Sequence, residues 1–466
     1  MQTSKTSLHR TIRAEHALTS GGWQRSVTVT IDASGCIQSV VGNSENVDTP
    51  DMEHVGVLLP APPNLHSHAF QRAMAGLTET RGPNPEDSFW TWRTLMYNFL
   101  DQLTPEDVEA ITAFVQMEML ESGYASVGEF HYLHHQPDGS HYSNPSEMSQ
   151  RIMAAANTSG IGLTLLPVLY QYGGCDGRAL VKGQCRFAHS LDDFGALYSD
   201  IDNGLRQLPA DAGKGVAPHS LRAVTRDALK DVIELAGNHP KHIHVAEQTA
   251  EVEEIEAAWG RRPIDWLLKN QALDDSWCVI HATQMMPEET LALAASGVTV
   301  GLCPITESSL GDGIFDGMRY LEAGGNLGIG SDSNIRISLS EELRTLEYSQ
   351  RLRDRKRAMF ANPGQSTGRV LYEQALAGGA RSLQRHCGAI EAGYLADLVA
   401  LDSDSLGLAY SKDDGWLDAW IFAADDSVVS SVWSAGRHVV RDGRHCQRDA
   451  IEQAYRRTLQ RLTQHL

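Results

Sequence analysis

Apolar and polar positions alternate through residues 11–60, as in Val27-Thr28-Val29-Thr30-Ile31, between turn signals at Gly21-Gly22, Ala33-Ser34-Gly35 and Gly42-Asn43. A period of two between such turns predicts short antiparallel strands with one face buried. From about residue 60 to 375 the texture changes to brief unbroken apolar runs, each followed by a longer segment of helical period. Examples are Ile161-Gly162-Leu163-Thr164-Leu165-Leu166-Pro167-Val168-Leu169, Ile243-His244-Val245, Trp277-Cys278-Val279-Ile280 and Leu327-Gly328-Ile329-Gly330. Unbroken apolar strands alternating with amphipathic helices predict an α/β fold, a parallel sheet covered by helices. Roughly 300 residues of this pattern suit a (β/α)8 TIM-like barrel with insertions. An open doubly wound sheet fits less well, because no Gly-x-Gly-x-x-Gly turn follows an early strand. After about residue 385 the alternation returns in Ala396-Asp397-Leu398-Val399-Ala400-Leu401-Asp402, in Val428-Val429 through Val439-Val440, and at the turn Asp442-Gly443. The two chain ends are therefore expected to pair into a small β-sandwich domain into which the barrel is inserted. The expected division is residues 1–58 for the first part of the β domain, 59–380 for the barrel, and 381–466 for the rest of the β domain and a terminal helix.

Composition narrows the function classes. The chain of 466 residues carries 39 Lys and Arg against 59 Asp and Glu, a formal charge of −20, which argues against a nucleic-acid or anionic-membrane partner held by the general surface. Seven scattered cysteines with no Cys-x-x-Cys pair disfavour a disulfide framework or a structural zinc knuckle and fit a reducing cytoplasm. The N-terminus is polar rather than signal-like, and no run reaches the roughly 18 apolar residues that a spanning helix needs. Nineteen histidines are the unusual count.

Several of those histidines fall where chemistry is built. Asn64-Leu65-His66-Ser67-His68 directly follows the apolar Val55-Gly56-Val57-Leu58-Leu59-Pro60. Residues two apart on a strand face the same side, so both imidazoles can reach one ion. His244 lies in the strand Ile243-His244-Val245 with Glu247 three residues on, His281 ends Trp277-Cys278-Val279-Ile280, and Asp332 follows Leu327-Gly328-Ile329-Gly330-Ser331. Each stands at the C-terminal end of an expected parallel strand, the rim where barrel enzymes build their sites. Three histidines and an aspartate make a plausible shell for zinc or another borderline divalent ion, with iron and manganese left open. His131, His134 and His135 have helical i, i+3, i+4 spacing, but the preceding Ser126-Val127-Gly128-Glu129-Phe130 reads as a strand end, where such side chains diverge.

The series His66-x-His68, His244 with Glu247, His281 and Asp332 resembles the amidohydrolase superfamily, in its mononuclear deaminase branch. The resemblance extends to Gly388-Ala389-Ile390-Glu391-Ala392-Gly393-Tyr394-Leu395-Ala396-Asp397-Leu398-Val399, similar to the family's return from barrel to β domain, and to the hairpin segments Ala435-Gly436-Arg437 and Val439-Val440-Arg441-Asp442-Gly443. It implies one divalent metal, zinc first among candidates, on His66, His68, His244 and Asp332, since no strand-4 lysine of the metal-bridging kind is evident. The ion would activate water at neutral pH. Asp332 would take or orient its proton, His281 would hold the nucleophile, and Glu247 would pass a proton to the departing nitrogen.

Further segments resemble branch members that act on a small dicarboxylate with an amidine-like head: His66-Ser67-His68-Ala69-Phe70-Gln71-Arg72, Val127 to His135, Ala217-Pro218-His219-Ser220-Leu221-Arg222 and His244-Val245-Ala246-Glu247-Gln248. That resemblance implies Arg93 and Arg222 as forks for carboxylates, with Gln71, Tyr132 and His219 as neutral donors. A deaminase acting on a guanine- or pterin-like ring is the alternative within the branch, and a non-catalytic barrel is the alternative outside it. Family habit implies a homodimer.

Overall fold

The computed structural model describes residues 10–43, 52–79 and 89–464. Among the described residues four strands come first: β1 (Arg10–Thr19), β2 (Gly22–Ile31), β3 (Ile37–Val41) and β4 (Met52–Pro60). Nine shorter, largely buried strands follow: β5 (Pro63–Ser67), β6 (Ser126–His131), β7 (Gly162–Leu169), β8 (Gly213–Lys214), β9 (Ala217–Pro218), β10 (Lys241–Val245), β11 (Trp277–His281), β12 (Thr299–Leu302) and β13 (Asn326–Ile329). The last four are β14 (Leu398–Leu401), β15 (Val429–Ser434), β16 (Arg437–Arg441) and β17 (Arg444–His445).

The middle strands form two parallel sheets separated in sequence by helices, β5-β6-β7-β8 with β9 also on β7, and β10-β11-β12-β13. Isolated parallel bridges join them at both seams, Ser67 with Asp332 on one side, and Val216 with Lys241 and Ser220 with His244 on the other. The parallel α/β architecture is the one expected from the unbroken apolar runs. The sequence pattern did not reveal the fourth strand position, where two pieces of two residues replace one run and Pro218 cannot donate to a ladder. The helix Thr367–Ser382 packs on β13 through Gly378, where a Cβ would stand 2.0 Å from the Leu327 carbonyl oxygen. A mid-helix glycine costs about 1 kcal/mol, and here it permits backbone-to-backbone approach.

The chain ends build one continuous eight-stranded sheet, β17-β16-β15-β14-β4-β1-β2-β3. One expectation needs correcting: β4 is not an antiparallel neighbour of β1 but pairs with it in parallel, and antiparallel with β14. Alternation along a strand reports which face is buried and is silent on the direction of its partner. The same alternation sorts side chains between two cores. Leu58, Leu398 and Ala400 join Ile12, Val27, Val29 and Trp433 within the terminal sheet, whereas Val57, Leu59, Val399 and Leu401 join the large cluster of the central unit.

Two devices tie the parts together. Buried Arg385 donates to both carboxylate oxygens of Asp397 at 2.5 and 2.9 Å and to Asp211 Oδ2 at 2.8 Å, and Arg437 adds a pair to Asp211 at 2.7 and 2.8 Å. The terminal helix Arg448–Thr463 returns to the helix Pro105–Glu121, with Tyr455 stacked on Phe114 at 3.9 Å between ring centroids.

Candidate active site

The strand ends place the singled-out side chains together. His66 Nε2 lies 3.2 Å from His68 Nε2 and 3.1 Å from His244 Nε2, and Asp332 Oδ1 lies 3.2 Å from His68 Nε2 and 3.5 Å from His66 Nε2. One donor atom from each of these four residues falls within 4.8 Å of all the others, and all four residues are buried.

The protonation of this group follows from its outer contacts. His68 Nδ1 is 2.9 Å from the Phe130 carbonyl oxygen and His244 Nδ1 is 3.2 Å from that of His219. A carbonyl can only accept, so each Nδ1 carries the hydrogen and, in the neutral ring, each Nε2 presents a bare lone pair inward. Burial pulls the His66 imidazole down to about 3 and holds His244 well below its usual range, its imidazole neighbours adding to the effect. Burial would raise the Asp332 carboxyl, but the adjoining His66 and His68 imidazoles and the charge of His281 hold it well below the usual carboxylate range. Lone pairs converging at 3.1–3.2 Å beside a carboxylate are mutually repulsive unless a cation sits among them. Three imidazole nitrogens and one carboxylate oxygen therefore fit a borderline divalent ion.

Backbone strain accompanies the convergence. Ala246, His281 and Asp332, at or just after strand ends, have φ of +53°, +73° and +47°, a region that side chains other than glycine's enter at a cost of order 1–3 kcal/mol. Hydrogen bonds hold Asp332 there. Its amide donates to the His66 carbonyl at 3.0 Å, and its own carbonyl accepts from the His68 amide at 2.8 Å.

His281 and Glu247 stand on the far side of Asp332. His281 Nε2 is 3.7 Å from Asp332 Oδ2 and 3.8 Å from Glu247 Oε1, while its Nδ1 is 3.2 Å from Glu307 Oε1. Burial would favour a neutral His281, but Glu247, Glu307 and Asp332 raise it well above its usual value. Burial, reinforced by Asp332 and Glu251, pushes Glu247 up to about 7 against the opposing charge of His281. A carboxyl poised near neutrality can both accept and release a proton at physiological pH.

A cavity opens beside these groups, lined by His68, His244, Glu247, His281 and Asp332 and also by all five residues expected to hold substrate: Gln71, Arg93, Tyr132, His219 and Arg222. Gln71 donates to the Tyr132 hydroxyl at 2.6 Å, and Arg93 Nη2 donates to the Tyr170 hydroxyl at 3.0 Å. Burial and the two arginines keep His219 well below its usual value, hence neutral.

Some lining and supporting residues were not singled out from sequence. Tyr170 directly follows β7, and the strand-end rule that found His281 would have found it too. Glu307 lies one turn inside the helix Pro304–Leu310 after β12 and carries no motif. Among the described residues, His131, His134 and His135 form no group of converging ligand atoms. His134 Nε2 faces the Val168 carbonyl at 3.2 Å, and His135 Nε2 faces that of Ala188 at 2.5 Å. Lys214 of β8 lies 2.7 Å from Asp202 Oδ1 and donates to the Tyr198 carbonyl.

Comparison with known proteins agrees with this geometry. The chain is 47% identical over 450 residues to formimidoylglutamate deiminase from Pseudomonas aeruginosa, covering 95% of this chain and 97% of that protein. The crystal structure of an amidohydrolase from Brucella melitensis superposes with a TM-score of 0.92 at 46% identity, over 97% of this chain and 100% of that one. A zinc-bound adenosine deaminase from Xanthomonas campestris, 21% identical, shares the fold at a TM-score of 0.80 over 97% of this chain and 98% of that one. Residues 57–439 match the Amidohydrolase family, so the chain belongs to that family.

Proposed function

We propose that the protein hydrolyses N-formimino-L-glutamate to N-formyl-L-glutamate and ammonia, a step of histidine degradation. The observation that carries this reading is a single cavity whose lining includes buried Arg222 and half-buried Arg93 together with the imidazoles of His68 and His244, Glu247 and His281. A substrate with two carboxylates and one formimino head calls for both kinds of group, and the 47% identical relative bears the corresponding name.

His66, His68, His244 and Asp332 would hold one divalent ion, zinc in our reading, which would supply acidification of water at neutral pH for attack on the formimino carbon. The engagement of Lys214 with Asp202 and Tyr198 supports a single ion, because it leaves that lysine away from the cluster. The chain's own groups do the rest. Asp332 accepts the proton of the attacking water. His281, kept cationic by three carboxylates, stabilises the charge that develops on oxygen. Glu247 delivers a proton to the nitrogen, so that ammonia rather than amide ion departs. Arg93 and Arg222 hold the carboxylates, and Gln71, Tyr132 and His219 orient the chain between them.

We read the seam bridges as closing the parallel strands into a (β/α)8 barrel over residues 59–380. The terminal segments, 1–58 and 381–466, complete a β-sandwich whose inner face is the cluster around Trp433. A homodimer in the cytoplasm, with neither nucleic acid nor membrane as partner, completes the reading. No helix among the described residues is long and apolar enough to cross a membrane. The test is ammonia release from N-formimino-L-glutamate against guanine. Turnover of the former alone is expected. Turnover of guanine alone would replace this reading with the aromatic-ring alternative.

A further inference from the structure

Asp332 faces two groups of ligands. Its Oδ1 lies 3.2 and 3.5 Å from the Nε2 atoms of His68 and His66, and its Oδ2 lies 3.7 Å from His281 Nε2. One donor atom each of His281, Cys303 and Asp332 lies within 4.8 Å of the other two, and all three residues are buried. Cys303 follows β12 at the same rim, and its amide donates to Glu307 Oε1 at 2.9 Å. The hydrolytic scheme gives this thiol nothing to do.

We propose that His281, Cys303 and Asp332 form a second, inhibitory site for a thiophilic divalent cation, with the Asp332 carboxylate bridging it to the first. A thiolate, an imidazole and a carboxylate with a fourth position open make a donor set for zinc or cadmium and a poor one for magnesium, calcium or manganese. Ligation must release to solvent both the Cys303 thiol proton and the Nε2 proton of cationic His281, and two dications repel across one carboxylate, so this site binds its cation more weakly than the imidazole site and fills after it. Filling it takes His281 away from the reacting oxygen and removes the side chain that stabilises developing charge. The cation therefore acts by occupying a residue of the hydrolytic scheme, without competing for the arginines.

Stepwise addition of cadmium to the zinc-loaded full-length protein tests this by bound metal per chain after gel filtration and by the ultraviolet absorption of cadmium thiolate. The expected result is one further equivalent, accompanied by the thiolate band and by loss of activity at unchanged KM. In Cys303→Ala the extra equivalent and the band are lost, and the inhibitory concentration rises about tenfold or more. In Cys446→Ser, at the exposed cysteine, both persist. The wild-type titration stands by itself should the alanine variant fold poorly, because a further equivalent without a thiolate band overturns the proposal, as does a band that survives in Cys303→Ala. This inference rests on the proposed hydrolytic site only for its activity arm. Stoichiometry and absorbance report on the second cation whatever the substrate proves to be.

Discussion

Replacing Glu307 by glutamine isolates the role of a charge that never reaches the cavity. Glu307 Oε1 is 3.2 Å from His281 Nδ1 and also accepts from the Cys303 amide, and a glutamine oxygen can keep the latter bond. At an effective dielectric of about 20, unit charges that far apart attract by roughly 5 kcal/mol, while a charge-assisted hydrogen bond contributes a net of about 1.5–3 kcal/mol. The smaller figure governs, since the amide retains a dipole. It corresponds to a fall in kcat of about 10- to 100-fold. KM should stay within about threefold, because Glu307 touches no substrate. The pH profile supplies the sign. Glu307 is among the carboxylates that raise His281, so its neutralisation lowers the imidazolium pKa, and the alkaline limb of kcat should move toward lower pH. The assay is steady-state ammonia release across pH, with metal content and circular dichroism to verify folding. A kcat within about twofold of wild type, or an unmoved alkaline limb, would refute the reasoning.

Glu247→Gln should lower kcat by about 10²- to 10⁴-fold, the usual worth of a positioned proton carrier. Its effect on the stability of metal-stripped protein has a defined sign. Folding raises Glu247 from 4.5 to about 7, so the stability it allows is fully present below pH 4.5 and is lost as pH rises through 7. Melts should therefore find Glu247→Gln more stable than wild type at pH 8, by up to about 3 kcal/mol, and equal to it at pH 4. Arg222→Met should raise KM for N-formimino-L-glutamate by about 10- to 100-fold, the loss of a charge-assisted bond, with kcat changed less. A KM within twofold, measured by the same ammonia assay, would remove Arg222 from substrate binding. Arg385→Met strands the buried carboxylates of Asp397 and Asp211 and should cost about 3–5 kcal/mol in urea unfolding, while folded protein keeps its kcat.

Burial periodicity is local, so it could be read along the chain. Period-two alternation announced β1, β2, β15 and β16, unbroken apolar runs announced β7, β10, β11 and β13, and a place at or just beyond the ends of those runs singled out His244, His281 and Asp332. Ligand chemistry is local as well, which is why His66-x-His68 was legible two residues apart on one strand. Pairing is not local. That β4 lies parallel to β1 and antiparallel to β14 depends on which edges are free once the central parallel sheets lie between them in the chain. The two-residue fragments β8 and β9 owe their place to the ladder of β7, for which propensity has no signal. The environment of each charged group belongs to this second category. Glu247 and Glu307 are both surface-like carboxylates by type, and only the packing of elements distant in sequence buries them on either side of His281. Residue types and their spacing thus determined which atoms can bind a metal or move a proton. Tertiary structure decided their proton affinities and partners, because desolvation and Coulomb attraction depend on distances through space that sequence separation does not encode.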